Sequence, residues 1–90
     1  MRTGEVLAKV PGLTRNDLYQ WETKGMVKPE KRKAGKLKRN EYSAEDLKLI
    51  QMIHYHRLAM HLTDFPVSEA YRRAVDDIKK GLTLKDMLAR

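Results

Sequence analysis

LTRNDLYQWETKGMVKP, residues 13–29, is the stretch on which the reading of this chain turns. Wound at about 100° per residue, Thr14 to Lys24 separates into two faces. Arg15, Asn16, Tyr19, Gln20 and Thr23 share an arc of roughly 140°, and every one ends in a polar group. Leu18 and Trp21 lie opposite with Thr14, where the two apolar side chains can bury. Arginine, asparagine and glutamine pair bidentately with guanine and adenine edges in a major groove. Gly25 stops the helix in the manner of a C′ glycine, and Pro29 prevents its resumption. The segment therefore reads as a short recognition helix anchored by Trp21. An ordinary amphipathic surface helix shows the same two faces and is the competing reading.

Toward the N-terminus, Thr3 to Val10 makes a second short helix, with Val6, Leu7 and Val10 apolar and Thr3 placed to cap it. Pro11-Gly12 ends it, and Thr14 caps the helix that follows, so that 3–25 forms a helix-turn-helix. Neither helix is long enough to stand alone in water, and both depend on packing. Downstream, 27–42 changes character. Lys31, Arg32, Lys33, Lys36, Lys38 and Arg39 put six cations into nine positions around Ala34-Gly35. Gly35 and Pro29 work against a helix, which leaves a two-stranded hairpin, a basic wing with Leu37 and Tyr42 as its apolar anchors. A solvated basic loop is the alternative, and either form is an electrostatic contact for phosphate.

Ser43-Ala44-Glu45-Asp46 carries a cap residue, an acid three positions later, and acids where a helix dipole favours them. A helix over 44–61 follows. Its Leu47, Leu49, Ile50, Met52, Ile53, Leu58 and Met60 cover more than half the circumference, which marks it as the central, most buried helix. Thr63 to Pro66 breaks it. Residues 66–80 make a second helix, with Val67, Ala70, Tyr71, Ala74, Val75 and Ile78 in one stripe, and the two helices are expected to pack as a pair. A short helix capped by Thr83 is possible over 83–90. The echo of GLTRND (12–17) in GLTLKD (81–86) is a glycine stop followed by a threonine-capped start, since no repeat period surrounds it.

Ninety residues suit one small domain, and the absence of cysteine excludes disulfides and thiolate metal sites. Neither a membrane-length apolar run nor a signal-peptide core is present, so a cytoplasmic, membrane-free protein is expected. The net charge of +7 is uneven: residues 1–42 hold 11 Lys/Arg against 5 Asp/Glu, residues 43–90 hold 8 against 7. One face is therefore expected to meet a polyanion.

The order helix, turn, helix, basic wing and Tyr-Ser-x-Glu-Asp-Leu helix resembles the DNA-binding domain of MerR-type regulators. Gly4-Glu5-Val6 is similar to that family's opening. Gly12-Leu13-Thr14, Leu18, Trp21-Glu22, Gly25 and Lys28-Pro29 keep the spacing of its recognition helix and exit. Tyr42-Ser43-Ala44-Glu45-Asp46-Leu47 resembles its post-wing helix start. The likeness covers about residues 3–60. Where the family writes Leu-Arg-Tyr-Tyr-Glu, this chain has Leu18-Tyr19-Gln20-Trp21-Glu22; Tyr19 stands at a phosphate-contacting arginine and Trp21 keeps an aromatic. One residue is inserted before Gly12, and the wing is about two residues longer. The family's long dimerisation helix and effector domain have no counterpart in the ninety residues, which are expected to be monomeric.

Competing chemistry is thin. His54 and His56 point about 200° apart on a helix, and His54 and His61 stand about 10 Å apart along it, so neither pair chelates well and no metal is expected. Asp76-Asp77 reads as a solvated pair at a helix end. No nucleophile order, phosphate loop or cofactor motif supports an enzyme. An excisionase-like architectural DNA-bender and a basic RNA- or protein-interaction module remain as alternatives, the RNA case weakened by few aromatics and by inward positions for Trp21 and Tyr71. The sequence thus predicts a mostly α winged helix-turn-helix domain with a β-hairpin wing that binds double-stranded DNA and regulates transcription. Arg15, Asn16, Tyr19 and Gln20 are the base-contact candidates. Lys31, Arg32, Lys33, Lys36, Lys38 and Arg39 are the phosphate-contact candidates, with Arg2, Lys24 and Lys28 beside them.

Overall fold

A computed structural model describes residues 1–59 and 66–88. Among these residues the order is α1 (Thr3–Lys9), α2 (Arg15–Thr23), β1 (Glu30–Ala34), β2 (Leu37–Glu41), α3 (Ala44–Ala59), α4 (Val67–Lys79) and α5 (Leu84–Leu88). The protein is mostly helical, with a small antiparallel hairpin. None of the described helices is long and apolar enough to cross a membrane. The chain divides into two compact units, Met1–Leu47 and Lys48–Arg90.

In the first unit, α1 is capped by Arg2, not by Thr3, which is already helical. The Arg2 carbonyl accepts from the Glu5 and Val6 amides, and the Glu5 carboxylate accepts from the Arg2 amide at 3.3 Å. The cap falls there because the acid that closes it must stand three residues on. Glu5 stands three after Arg2, whereas Val6 stands three after Thr3. Val10 to Leu13 then turns back on a 3.1 Å hydrogen bond. Pro11 sets the first central φ and Gly12, at φ 85°, supplies the second, as a type II turn requires.

Thr14 and Asp17 cap α2 reciprocally, each side chain accepting from the other's amide at 3.1 Å. At the other end the Gly25 amide donates to the Glu22 carbonyl (3.0 Å) and the Met26 amide to the Trp21 carbonyl (2.9 Å). That pair of bonds is a Schellman motif, and it needs the left-handed conformation Gly25 adopts at φ 75°. Leu18 and Trp21 point inward, and Val6, Val10, Leu13, Met26, Val27, Pro29 and Tyr42 are buried with them in this unit.

The hairpin pairs Glu30 with Glu41 through Ala34 with Leu37, leaving Gly35-Lys36 as a two-residue connection. Tyr42 is buried, but Leu37 is 70% exposed and anchors nothing. Side chains alternate along a strand, so Leu37 shares the face of Arg39 and Glu41, while Lys31 and Asn40 occupy the face that meets α2.

Ser43 and Asp46 cap α3 with reciprocal bonds of 2.8 and 3.0 Å. Ile50, Met52 and Ile53 are fully buried, Leu47 and Leu49 only partly, and Leu58 is 60% exposed. The buried arc of α3 is thus narrower than its apolar positions implied; Met60, His61 and the break at Thr63 to Phe65 lie outside the described residues. On α4, Ala70 and Ala74 are buried, whereas Val67, Tyr71, Val75 and Ile78 are half-buried, so Tyr71 is less inward than its stripe suggested. A second Schellman motif ends α4, with the Gly81 amide on the Ile78 carbonyl and the Leu82 amide on the Asp77 carbonyl. Thr83 and Asp86 then cap α5, repeating the device of Thr14 and Asp17.

Two buried histidines stand on α3, His54 at 6% and His56 at 8% exposure. His56 Nε2 lies 2.5 Å from Asp77 Oδ2 and ties α3 to α4. Asp77 is consequently not a solvated carboxylate: its side chain is 13% exposed. Only Asp76 fits the expected reading, exposed and bonded to Lys80, whose ammonium holds the Asp76 carboxyl below its usual range. His54 Nδ1 meets the Arg57 guanidinium at 2.7 Å. No group of three metal-ligating side chains occurs among the described residues.

Candidate nucleic-acid interface

The outward face of α2 carries the side chains that the sequence singled out. Arg15, Asn16, Tyr19, Gln20 and Thr23 are all exposed, Tyr19 to 68%, while Leu18 and Trp21 keep only 3% and 2%. The difference follows from register, because the buried pair recurs at i and i+3 and the polar set fills the rest of the turn. Both ends of the helix are fixed by local hydrogen bonds, so the face is rigidly presented.

Arg15, the first residue of α2, is set apart from the other three. It lines an open concavity together with Arg2 and Thr3 at the start of α1 and with Lys38, Arg39 and Asn40 of β2. Gly4 also borders it, and a Cβ at that position would stand 4.0 Å from Arg15 Nη2. No carboxylate lines this concavity. The structure therefore brings together one base-contact candidate and three phosphate-contact candidates, and it leaves Asn16, Tyr19 and Gln20 outside.

The hairpin carries its charge at an electrostatic cost. Arg32 faces Arg39 across the ladder and Lys33 faces Lys38. Like charges directly opposite destabilise a strand pair, and an anion laid along the hairpin relieves them. Lys24, Lys28, Lys33 and Lys36 are exposed as single cations. Arg32 leans toward Glu30 at 3.8 Å, and with Lys28 it borders a second hollow shared with Glu30, Glu41 and Asp46. That hollow mixes both signs and suits a polyanion less well.

Lys31 is engaged within the protein. Its ammonium donates to the Glu22 carboxylate of α2 and to Asn40 Oδ1. Asn40 in turn donates to Glu22 at 3.1 Å and to the Tyr42 hydroxyl at 3.3 Å. This network clamps the hairpin to α2, and the sequence reading missed Glu22 and Asn40 as its members. Only the strand register, which sets Lys31 opposite Asn40, places them together. A second tie runs from Met1, whose ammonium donates to Glu41 (2.9 Å) and to the Tyr42 carbonyl (2.7 Å) while the Tyr42 amide returns a bond to the Met1 carbonyl. The hydrogen bond from that ammonium holds the Glu41 carboxyl below its ordinary range.

No family model, no curated protein and no solved structure matches the chain.

Proposed function

We propose that this chain is a winged helix-turn-helix protein of the MerR type that binds double-stranded DNA and regulates transcription. The observation that carries the reading is the pairing, in one unit, of an outward polar helix face with a carboxylate-free concavity ringed by Arg2, Arg15, Lys38 and Arg39. In this reading α2 is the recognition helix and the hairpin is the wing. A helix of that width enters a major groove, where Asn and Gln can meet adenine edges. The cations of the wing neutralise flanking phosphates and release counterions, which makes affinity strongly salt-dependent. The opposed pairs Arg32/Arg39 and Lys33/Lys38 give the wing a preference for a polyanion over solvent. Clamping by Glu22, Lys31 and Asn40 holds wing and helix in one arrangement before DNA arrives, which lowers the ordering cost of binding.

Selection of bound sequences from a random duplex pool tests this. An enriched motif of a few base pairs is the expected result. Retention of duplex without enrichment would mark an architectural protein instead, and a pool that is not retained at all would sink the reading.

A further inference from the structure

The geometry points to a phosphate seat, in which Arg15 grips the DNA backbone with Arg2 and a cation of β2 and reads no base. The inference rests on the duplex-binding reading and reassigns the residue which, by sequence alone, was the leading candidate for guanine.

Three observations carry it. First, the surroundings of Arg15 are those of an anion site. Arg2, Arg15, Lys38 and Arg39, from the chain start, the head of α2 and β2, border one hollow; neighbours on a strand point to opposite faces, so one of the two β2 cations turns its charge into it. Of the four, Arg2 also acts on the Glu41 carboxylate, which its charge helps to hold ionised. The edge of a guanine offers two acceptor atoms and no net charge, so it matches one guanidinium and leaves the neighbouring positive charge uncompensated. A phosphodiester oxygen pair carries a full charge and accepts from several donors at once.

Second, Gly4 at the start of α1 lies beside Arg15 and borders the same hollow. With no side chain at residue 4, the nearest approach to Nη2 from a Cβ position is 4.0 Å. The guanidinium is thus near the α1 backbone, with Thr3 also bordering the hollow.

Third, the rest of the polar face is free to read. Asn16, Tyr19 and Gln20 are exposed and border none of that hollow. Sequence discrimination by this helix accordingly belongs to those three, while Arg15 fixes how deep and in which register the helix sits.

Two measurements test the assignment. In the first, the whole chain and its Arg15→Ala and Arg15→Lys variants are titrated, at several salt concentrations, with a selected duplex and a scrambled duplex of equal length. Arg15→Ala should weaken both duplexes by the same factor, about tenfold, and lower the salt slope by about 0.9. Arg15→Lys should retain most of the affinity for both, because a phosphate accepts a point charge where a purine edge requires the fork. A loss confined to the selected duplex, with lysine failing as alanine does, would overturn the proposal. In the second, inorganic phosphate is titrated into the free protein and followed by amide chemical shifts. Saturable shifts at Gly4, Arg15 and Lys38 to Asn40, absent in Arg15→Ala, are expected; shifts spread evenly over the surface would overturn the seat. Should phosphate saturate the seat while no duplex binds, the DNA reading falls and the seat stands.

Discussion

The ammonium group of Lys31 rests on the carboxylate of Glu22, joining a strand of the hairpin to the last turns of α2. Lys31 is about half exposed and Glu22 a quarter, so the bond is a partly screened one. Glu22→Ala should cost about 0.5–1 kcal/mol, in the range of surface ion pairs with added hydrogen bonds. Lys31→Ala should cost about the same, and the double variant less than the sum. Amide exchange in β1 and β2 should quicken in each. Strictly additive losses, or unchanged exchange, would show that the clamp holds nothing.

Trp21 is the chain's single tryptophan, and at 2% exposure it is among the most buried side chains of the first unit. Its truncation to Ala should cost about 3–5 kcal/mol, a large fraction of the stability of a small domain. Its native emission should be that of an apolar site and should shift to the red on unfolding. A Trp21→Ala variant that melted at the parent temperature yet failed to hold duplex would contradict the inward anchoring.

What was legible in the sequence was local. Thr14, Ser43 with Asp46, and Gly25 ahead of Pro29 each specify a helix end through bonds that span a few residues, and the structure places them as the residues dictate, with Asp17 added as the partner of Thr14. Apolar spacing was enough to bury Leu18 and Trp21. What stayed hidden depends on contacts far apart in sequence. Glu22 and Asn40 are 18 residues apart and His56 and Asp77 are 21, so no periodicity couples them. Leu37 and Leu58 read as core because they are apolar, yet a lone apolar residue on a solvent face is ordinary. Arg15 illustrates the same limit within the site: its helix face was readable, but its neighbours in the hollow come from β2 and the chain start.

His56 and Asp77 form the polar contact inside the second unit with the most at stake, since both side chains are nearly enclosed. His56→Ala strands the Asp77 carboxylate and should cost about 1–3 kcal/mol. Replacing both by apolar residues should cost less than the two single losses together. Chemical denaturation followed by helical circular dichroism measures all three. Additivity would mean that the two groups are not coupled across α3 and α4.

Affinity and specificity should separate between the hairpin and the helix. Joint replacement of Lys36, Lys38 and Arg39 by Ala should weaken every duplex alike and flatten the salt slope by roughly 0.9 for each phosphate no longer neutralised. Gln20→Ala or Asn16→Ala should instead cost about 1–3 kcal/mol at a selected site and far less on scrambled DNA. Uniform loss from the helix variants, or sequence-dependent loss from the hairpin variant, would exchange the two roles.

Assembly follows from what lies beyond α3. MerR-type regulators pair through a long C-terminal helix, which needs apolar residues at heptad spacing over several turns. Here α4 is 13 residues long and closes at Gly81 in a Schellman motif. After it comes α5, only five residues. Neither provides the several uninterrupted heptads of a paired coil. The ninety residues should therefore sediment as a monomer at micromolar concentration. On the proposed DNA-binding reading a monomer offers one recognition helix, so duplexes with two half-sites about 34 Å apart should bind no tighter per site than a duplex with one. Affinity should also be modest, since the effective-concentration gain of a linked second contact is missing. A stable dimer in sedimentation without DNA, or a steep preference for half-sites one helical turn apart, would refute the monomer and require a pairing surface on the second unit.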